Sequence, residues 1–336
     1  MRRRRAVAGA LDLILDALPP ASGAVVMGTG IVSIAVALDG RETLSRVLLA
    51  LDAAAWVILA ILLPARAARD RARFRRDLRT PAAFTAVAGT AVLGTRLTLL
   101  GWNWVASILL VIALLAWLGL VGAVLRHWTT PTVGASFILT VGTESLALLA
   151  AALALAYHAN WLLIASLLPF VLGLGFYLLV LSRFDVGQLA TGRGDHWVTG
   201  GALAISTVTA GRIALAAERL WSSGGAVSAI EDIALALWAL TLLWLPALLF
   251  AEARWPRGRY GVRRWSTVFP VGMYAACSFV VGKVDSAQAI TDFARVWVWV
   301  ALAVWALVAI GLARTIARTL ADIREREHEA PSARPA

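Results

Sequence analysis

The chain has 336 residues, 60% of them hydrophobic and 15% charged, with a mean hydropathy of +0.78. Soluble domains carry about 45–50% apolar and about 25% charged residues, so this composition excludes a soluble fold and marks an integral membrane protein. The net charge of +11 sits in Arg-rich segments between apolar runs, which leaves little for a nucleic-acid partner, and a single cysteine, Cys277, excludes a disulfide framework and a Cys-based metal site.

Residues 1–18 open with MRRRR and a short apolar run broken by Asp12 and Asp16, with no small-x-small cleavage site. This reads as an interfacial amphipathic segment on the cytoplasmic surface. Pro19 and Pro20 suit the break before the first span. Spanning helices need ~20 mostly apolar residues. Ten are expected, at roughly 20–38, 47–64, 82–96, 104–124, 132–152, 161–182, 197–214, 230–250, 265–283 and 296–313. They make an all-α transmembrane domain over 19–320, followed by a cytoplasmic tail, 321–336. With both termini inside, 24 of the 31 basic residues fall on the cytoplasmic face, the asymmetry expected of a multi-pass protein of the cell (plasma or inner) membrane.

Composition alternates along these spans. The odd-numbered spans hold 30 Gly, Ser or Thr in 92 residues and the even-numbered ones 9 in 100. Small residues let membrane helices approach closely, so one such span alone indicates ordinary packing. Five in alternation imply five helical hairpins, each with one inner and one lipid- or neighbour-facing helix, the inner set enclosing a central pore. The expected lining is Gly28, Thr29, Gly30, Thr90, Thr143, Glu144, Ser145, Ser206, Thr207 and Gly272. Arg96, Arg212 and Lys283 fall near the predicted outer ends of spans 3, 7 and 9, where they either attract anions to a pore mouth or snorkel to the interface.

The four histidines fall at loops, span ends or the tail, and HExxH and paired aspartates are absent from the sequence. Asp195–His196 reads as a helix cap with a solvated neighbour. A non-enzyme is therefore expected, with no cofactor and no metal site; an intramembrane enzyme is the distant alternative.

The segments PPASGAVVMGTGIVSIAV (19–36), TPAAFTAVAGTAVLGT (80–95), TESLALLA (143–150), DHWVTGGALAIST (195–207) and RRWSTVFPVGMYAA (263–276) resemble the inner helices of the tellurite-resistance/dicarboxylate transporter family, which includes the slow-type anion channels. The resemblance implies a ten-helix protomer of five hairpins in quasi-fivefold arrangement around a pore. It also implies a homotrimer in the lipid bilayer, a small anion such as an inorganic anion or malate as substrate, and a pore gate at Phe269. Pro270 then either kinks the ninth helix to hold that ring across the axis or sits in its first turn. Glu144 departs from the family pattern. It is expected to be neutral and structural, to couple anion movement to protons in a C4-dicarboxylate symporter or exporter, or to point away from the axis and pair with a neighbouring helix.

Overall fold

The computed structural model describes residue 15 and residues 18–190, 194–221, 224–257 and 260–329, with side chains through 321. The interfacial segment expected over 1–18 lies almost wholly outside the described residues, as do residues 330–336 of the tail.

Among the described residues ten helices have 15 residues or more: α1 (Ala24–Leu38), α2 (Glu42–Arg69), α3 (Phe84–Thr98), α4 (Asn103–Arg126), α5 (Ile138–Tyr157), α6 (Asn160–Leu181), α7 (Trp197–Trp221), α8 (Gly225–Arg254), α9 (Trp265–Val284) and α10 (Gln288–Glu329). A seven-residue helix, Arg71–Asp77, lies between α2 and α3 and is capped by the Asp70 carboxylate, which accepts from the Arg73 amide at 2.8 Å. Each predicted span coincides with one helix, because a backbone in hydrocarbon must satisfy its own hydrogen bonds. Eight helices are long and apolar enough to cross a membrane by length and composition; α1 and α3, at 15 residues each, are shorter.

Connection lengths divide the molecule into hairpins. Two to four residues separate α1 from α2, α3 from α4, α5 from α6, α7 from α8 and α9 from α10, whereas ten to fifteen residues join one pair to the next. Gly40 (φ +80°), Gly101 (φ +78°), His158 (φ 53°) and Ser286 (φ 52°) supply the left-handed residue in four of the short turns.

Burial follows the alternation in composition. In the most apolar stretches, 89–94% of residues are buried in α5, α7 and α9, against 17–33% in α2, α4, α6, α8 and α10. The odd helices pack on one another in the order α1, α3, α5, α7, α9, and α9 returns to α1. Each even helix lies against its hairpin partner and, less extensively, against the next odd helix, with α10 closing onto α1. Glycines make the inner contacts possible: a Cβ on Gly23 would lie 2.6 Å from the Thr85–Ala86 backbone, and one on Gly201 would lie 2.7 Å from the Pro270 ring.

Several boundaries differ from the sequence expectation by five residues or more, α5 starting six residues later than predicted and α10 eight earlier. Helix α7 runs to Trp221, seven residues past the predicted end, because Ile213–Ala217 continues its helical pattern. Helix α10 continues through much of the expected tail, to Glu329.

Candidate functional site

The inner hydroxyls are held by tryptophans of the outer helices. Trp56 on α2 donates its indole N–H to Thr90 on α3 at 2.9 Å, and Trp117 on α4 donates to Thr143 on α5 at 2.9 Å. Trp238 on α8 donates to Ser278 on α9 at 2.8 Å, and Trp305 on α10 donates to Thr29 on α1 at 3.1 Å. Every pair joins an even helix to the next odd one. A buried indole N–H needs such an acceptor. Thr90, Thr143 and Ser278 each donate in turn to the carbonyl four residues back in their own helix, so these hydroxyls serve as donor and acceptor at once. Three positions expected to line the axis, Thr29, Thr90 and Thr143, therefore direct their oxygens outward.

At the α6–α7 seam no outer-helix tryptophan donates to an inner hydroxyl among the described residues; the indole there is Trp221 of α7, which donates to the Asn160 amide oxygen at the start of α6. Here Glu144 of α5 inserts: its Oε1 accepts from Ser206 Oγ on α7 at 3.0 Å, and a Cβ added to Gly173 on α6 would come within 2.6 Å of that same oxygen. Oε2 is buried without a partner, and no ion pair reaches Glu144 among the described residues. Its carboxyl thus points between α5, α6 and α7 and pairs with a neighbouring helix through Ser206, the geometry of the third expected role, with no ion pair among the described residues. Thr207 turns to Thr241 on α8 at 3.1 Å, Ser145 donates to the Val141 carbonyl at 2.7 Å, and Gly30 and Gly272 make room for Val92 and Ile31. Gly28 lies against Trp265 and Val268.

The three basic residues have different fates. Arg96 is fully buried, its Nε bonded to Ser45 Oγ at 2.9 Å and its Nη2 to both oxygens of Glu42 at 2.8 and 2.9 Å. Its charge is paired with Glu42 inside the fold rather than free at the helix end. Lys283 is exposed at the end of α9. Arg212 is half-buried, forms no ion pair among the described residues, and sits nine residues before the end of α7, well inside the helix rather than at its mouth.

Phe269 is fully buried. Its neighbours fix its direction: Val268 packs on Gly28 of α1, and Pro270 packs on Gly201 of α7. Toward the outer helices α9 presents Val271, whose carbonyl accepts from Trp297, and Ser278, which accepts from Trp238. Trp265 is the first residue of α9 and Pro270 the sixth; the helix continues through the proline, whose missing N–H leaves only the Ser266 carbonyl, near the helix start, without its usual donor.

One buried acid lies outside the sequence expectations and one histidine differs from them. Asp52, on outer helix α2, is fully buried with neither carboxyl oxygen partnered, and a Cβ on Gly30 would lie 2.7 Å from it. An acidic residue inside an apolar span was the signal available. His196 is 1% exposed with both ring nitrogens unpartnered, which corrects the expectation of a solvated neighbour at the α7 start; burial, then Arg257, hold its pKa below the ordinary histidine value.

The family model described as SLAC1, voltage-dependent anion channel, matches residues 17–313. Two uncharacterized membrane proteins of Mycobacterium tuberculosis, MT1776 of strain CDC 1551 and Rv1735c of strain H37Rv, are 28% identical over 133 residues. Those matches cover 37% of this chain and 66%, just under two thirds, of each relative's length.

Proposed function

Because the chain belongs to the SLAC1 voltage-dependent anion channel family, a group of membrane transport proteins and not enzymes, we propose that it conducts small anions through an axis enclosed by α1, α3, α5, α7 and α9, and that Phe269 closes this path. In this reading all ten long helices cross the membrane, in quasi-fivefold order, with both termini on the Arg-rich cytoplasmic side. The resemblance to tellurite-resistance and dicarboxylate transporters supports reading the assembly as a homotrimer and C4-dicarboxylates as candidate substrates.

The observation that carries the proposal is the return of α9 onto α1, which makes the inner helices a closed circuit with an interior. Helical phase, ~100° per residue at 3.6 residues per turn, then assigns the interior arc. On α9 the arc between the α1-facing and α7-facing contacts, opposite Val271 and Ser278, holds Phe269 and Met273. On α7 the arc left free by Ser206, Thr207, Gly200 and Gly211 holds Ile205 and Arg212. The other arcs hold Met27 and Ile34 on α1, Ala88 and Thr95 on α3, and Val141 and Ser145 on α5. Of the ten lining positions expected from composition, only Ser145 falls on this surface.

Apart from Arg212, the assigned side chains are buried and mostly apolar, as befits a closed path: a narrow apolar segment excludes water and opposes any ion. Arg212 gives the interior a fixed positive charge, which favours anions over cations. Replacing Phe269 with alanine is expected to raise anion flux into liposomes by about 10-fold or more, equivalent to roughly 1.4 kcal/mol off the barrier. Unchanged flux in a correctly assembled F269A protein removes the ring from gating.

A further inference from the structure

A groove of about 1040 Å³ runs along the outside of the molecule between α8, α9 and α10, and nothing in the proposed conduction path uses it. Its two ends differ in chemistry. Toward the Arg-rich face stand Arg257, Arg264, Arg314 and Arg318 against one carboxylate, Glu252. Glu252 is already engaged: it accepts from Arg257 at 2.5 Å, from Arg264 at 3.1 Å and from the Trp197 indole at 3.1 Å. Arg314 and Arg318 are exposed, one turn apart on α10, and form no ion pair among the described residues. Toward the membrane interior the wall is apolar, with Val300, Val304, Leu307 and Ile310 along α10 and Leu249 on α8. Leu307 is 72% exposed and Ile310 49%. At its inner end Trp297 closes the floor by donating to the Val271 carbonyl at 3.1 Å.

Unpaired cations at the polar end of an apolar furrow match one kind of molecule in both respects, a phosphate monoanion carried on a hydrocarbon chain. Water fills an apolar furrow poorly, and a free anion uses only the cationic end. Basic recesses between membrane helices are suited to anionic headgroups. We propose that this groove binds one anionic phospholipid per chain, its phosphate against Arg314 and Arg318, with the excess positive charge around Arg257 and Arg264 behind it, and one acyl chain along Val300, Val304 and Leu307.

The test requires no transport and stands apart from the gating proposal. The full chain is purified in mild detergent, incubated with an equal mixture of phosphatidylglycerol and phosphatidylcholine, and weighed by native mass spectrometry. One phosphatidylglycerol per chain is expected to be retained in preference to phosphatidylcholine. The double variant Arg314→Ala, Arg318→Ala is expected to lose that retention about 30-fold, taking roughly a factor of five per arginine near a membrane surface. Val304→Trp, which fills the furrow and leaves the charge unchanged, is expected to release the lipid as well. Equal retention of the zwitterionic lipid, or native retention by the double arginine variant, overturns the site. So does displacement by inorganic phosphate alone, which would mean that the cations take a free anion. Disulfide-linked dimers formed by Leu307→Cys chains in the membrane would assign the groove to a second copy and overturn the lipid.

Discussion

Four of the five seams between an outer helix and the next inner helix are bridged by an outer tryptophan N–H on an inner hydroxyl, whereas at the α6–α7 seam the indole of Trp221 on the inner helix donates to Asn160 at the helix end, and Glu144 of α5 enters beside Gly173 to accept from Ser206. The four alike seams use neutral groups, and Thr90, Thr143 and Ser278 have both hydrogen-bonding roles filled, so these hydroxyls hold the ring together. In the fifth, glycine at position 173 removes the side chain that would occupy the space, and a carboxyl enters with one oxygen unpartnered. A repeated architecture can thus be sealed identically at most of its seams and leave one free to hold a different group. Gly173 of α6 is what makes room for it.

The contrast can be broken from either side. The largest effect is expected from Gly173→Ala: the new methyl would meet Glu144 Oε1, Cδ and Cγ at 2.6–2.7 Å, and overpacking of this kind typically costs roughly 1–3 kcal/mol. Thermal unfolding in detergent checks it, and a melting point equal to that of the native chain would mean that Glu144 is free to move aside. A smaller loss, about 1 kcal/mol, is expected for Trp117→Phe, which removes one buried hydrogen bond and most of its worth while keeping an aromatic ring. Trp56→Phe, Trp238→Phe and Trp305→Phe should match it within experimental spread, since their bonds lie between 2.8 and 3.1 Å. A single dominant seam among the four would dissolve the equivalence. The smallest change is expected from Glu144→Gln, which preserves shape and the acceptor for Ser206. Melting should shift by less than about 0.5 kcal/mol, and the dependence of anion flux on pH should keep the native profile. A flattened profile would assign Glu144 to proton transfer and favour the symporter reading over the channel.

Hydropathy located every long helix, and the Gly/Ser/Thr alternation separated the buried set from the exposed set, because both depend on residue type alone. Direction is a different matter. Composition says that Thr29, Thr90 and Thr143 belong to inner helices, but which side of each helix they occupy depends on its rotation, and that is set by partners such as Trp305, Trp56 and Trp117 far away in sequence. Hydroxyls were therefore assigned to the axis when they serve the seams. Arg212 was placed at a mouth because a charge usually marks the end of an apolar run, although the helix continues for nine residues beyond it. Arg96 was assigned a free charge because its partner Glu42 stands 54 positions earlier, at the start of the preceding long helix. Asp52, an acid inside an apolar run, is equally visible in the sequence, but its outer-span position gives no sign that its carboxyl turns inward against Gly30.

Helix α10 has 42 residues, about 63 Å at ~1.5 Å per residue, roughly twice the ~30 Å thickness of bilayer hydrocarbon. One continuous rod therefore lies in two solvents. Its amides beside Trp297 and Val298 should exchange with deuterium orders of magnitude more slowly than those beyond Arg318, with no break in the helix to mark where the protection ends.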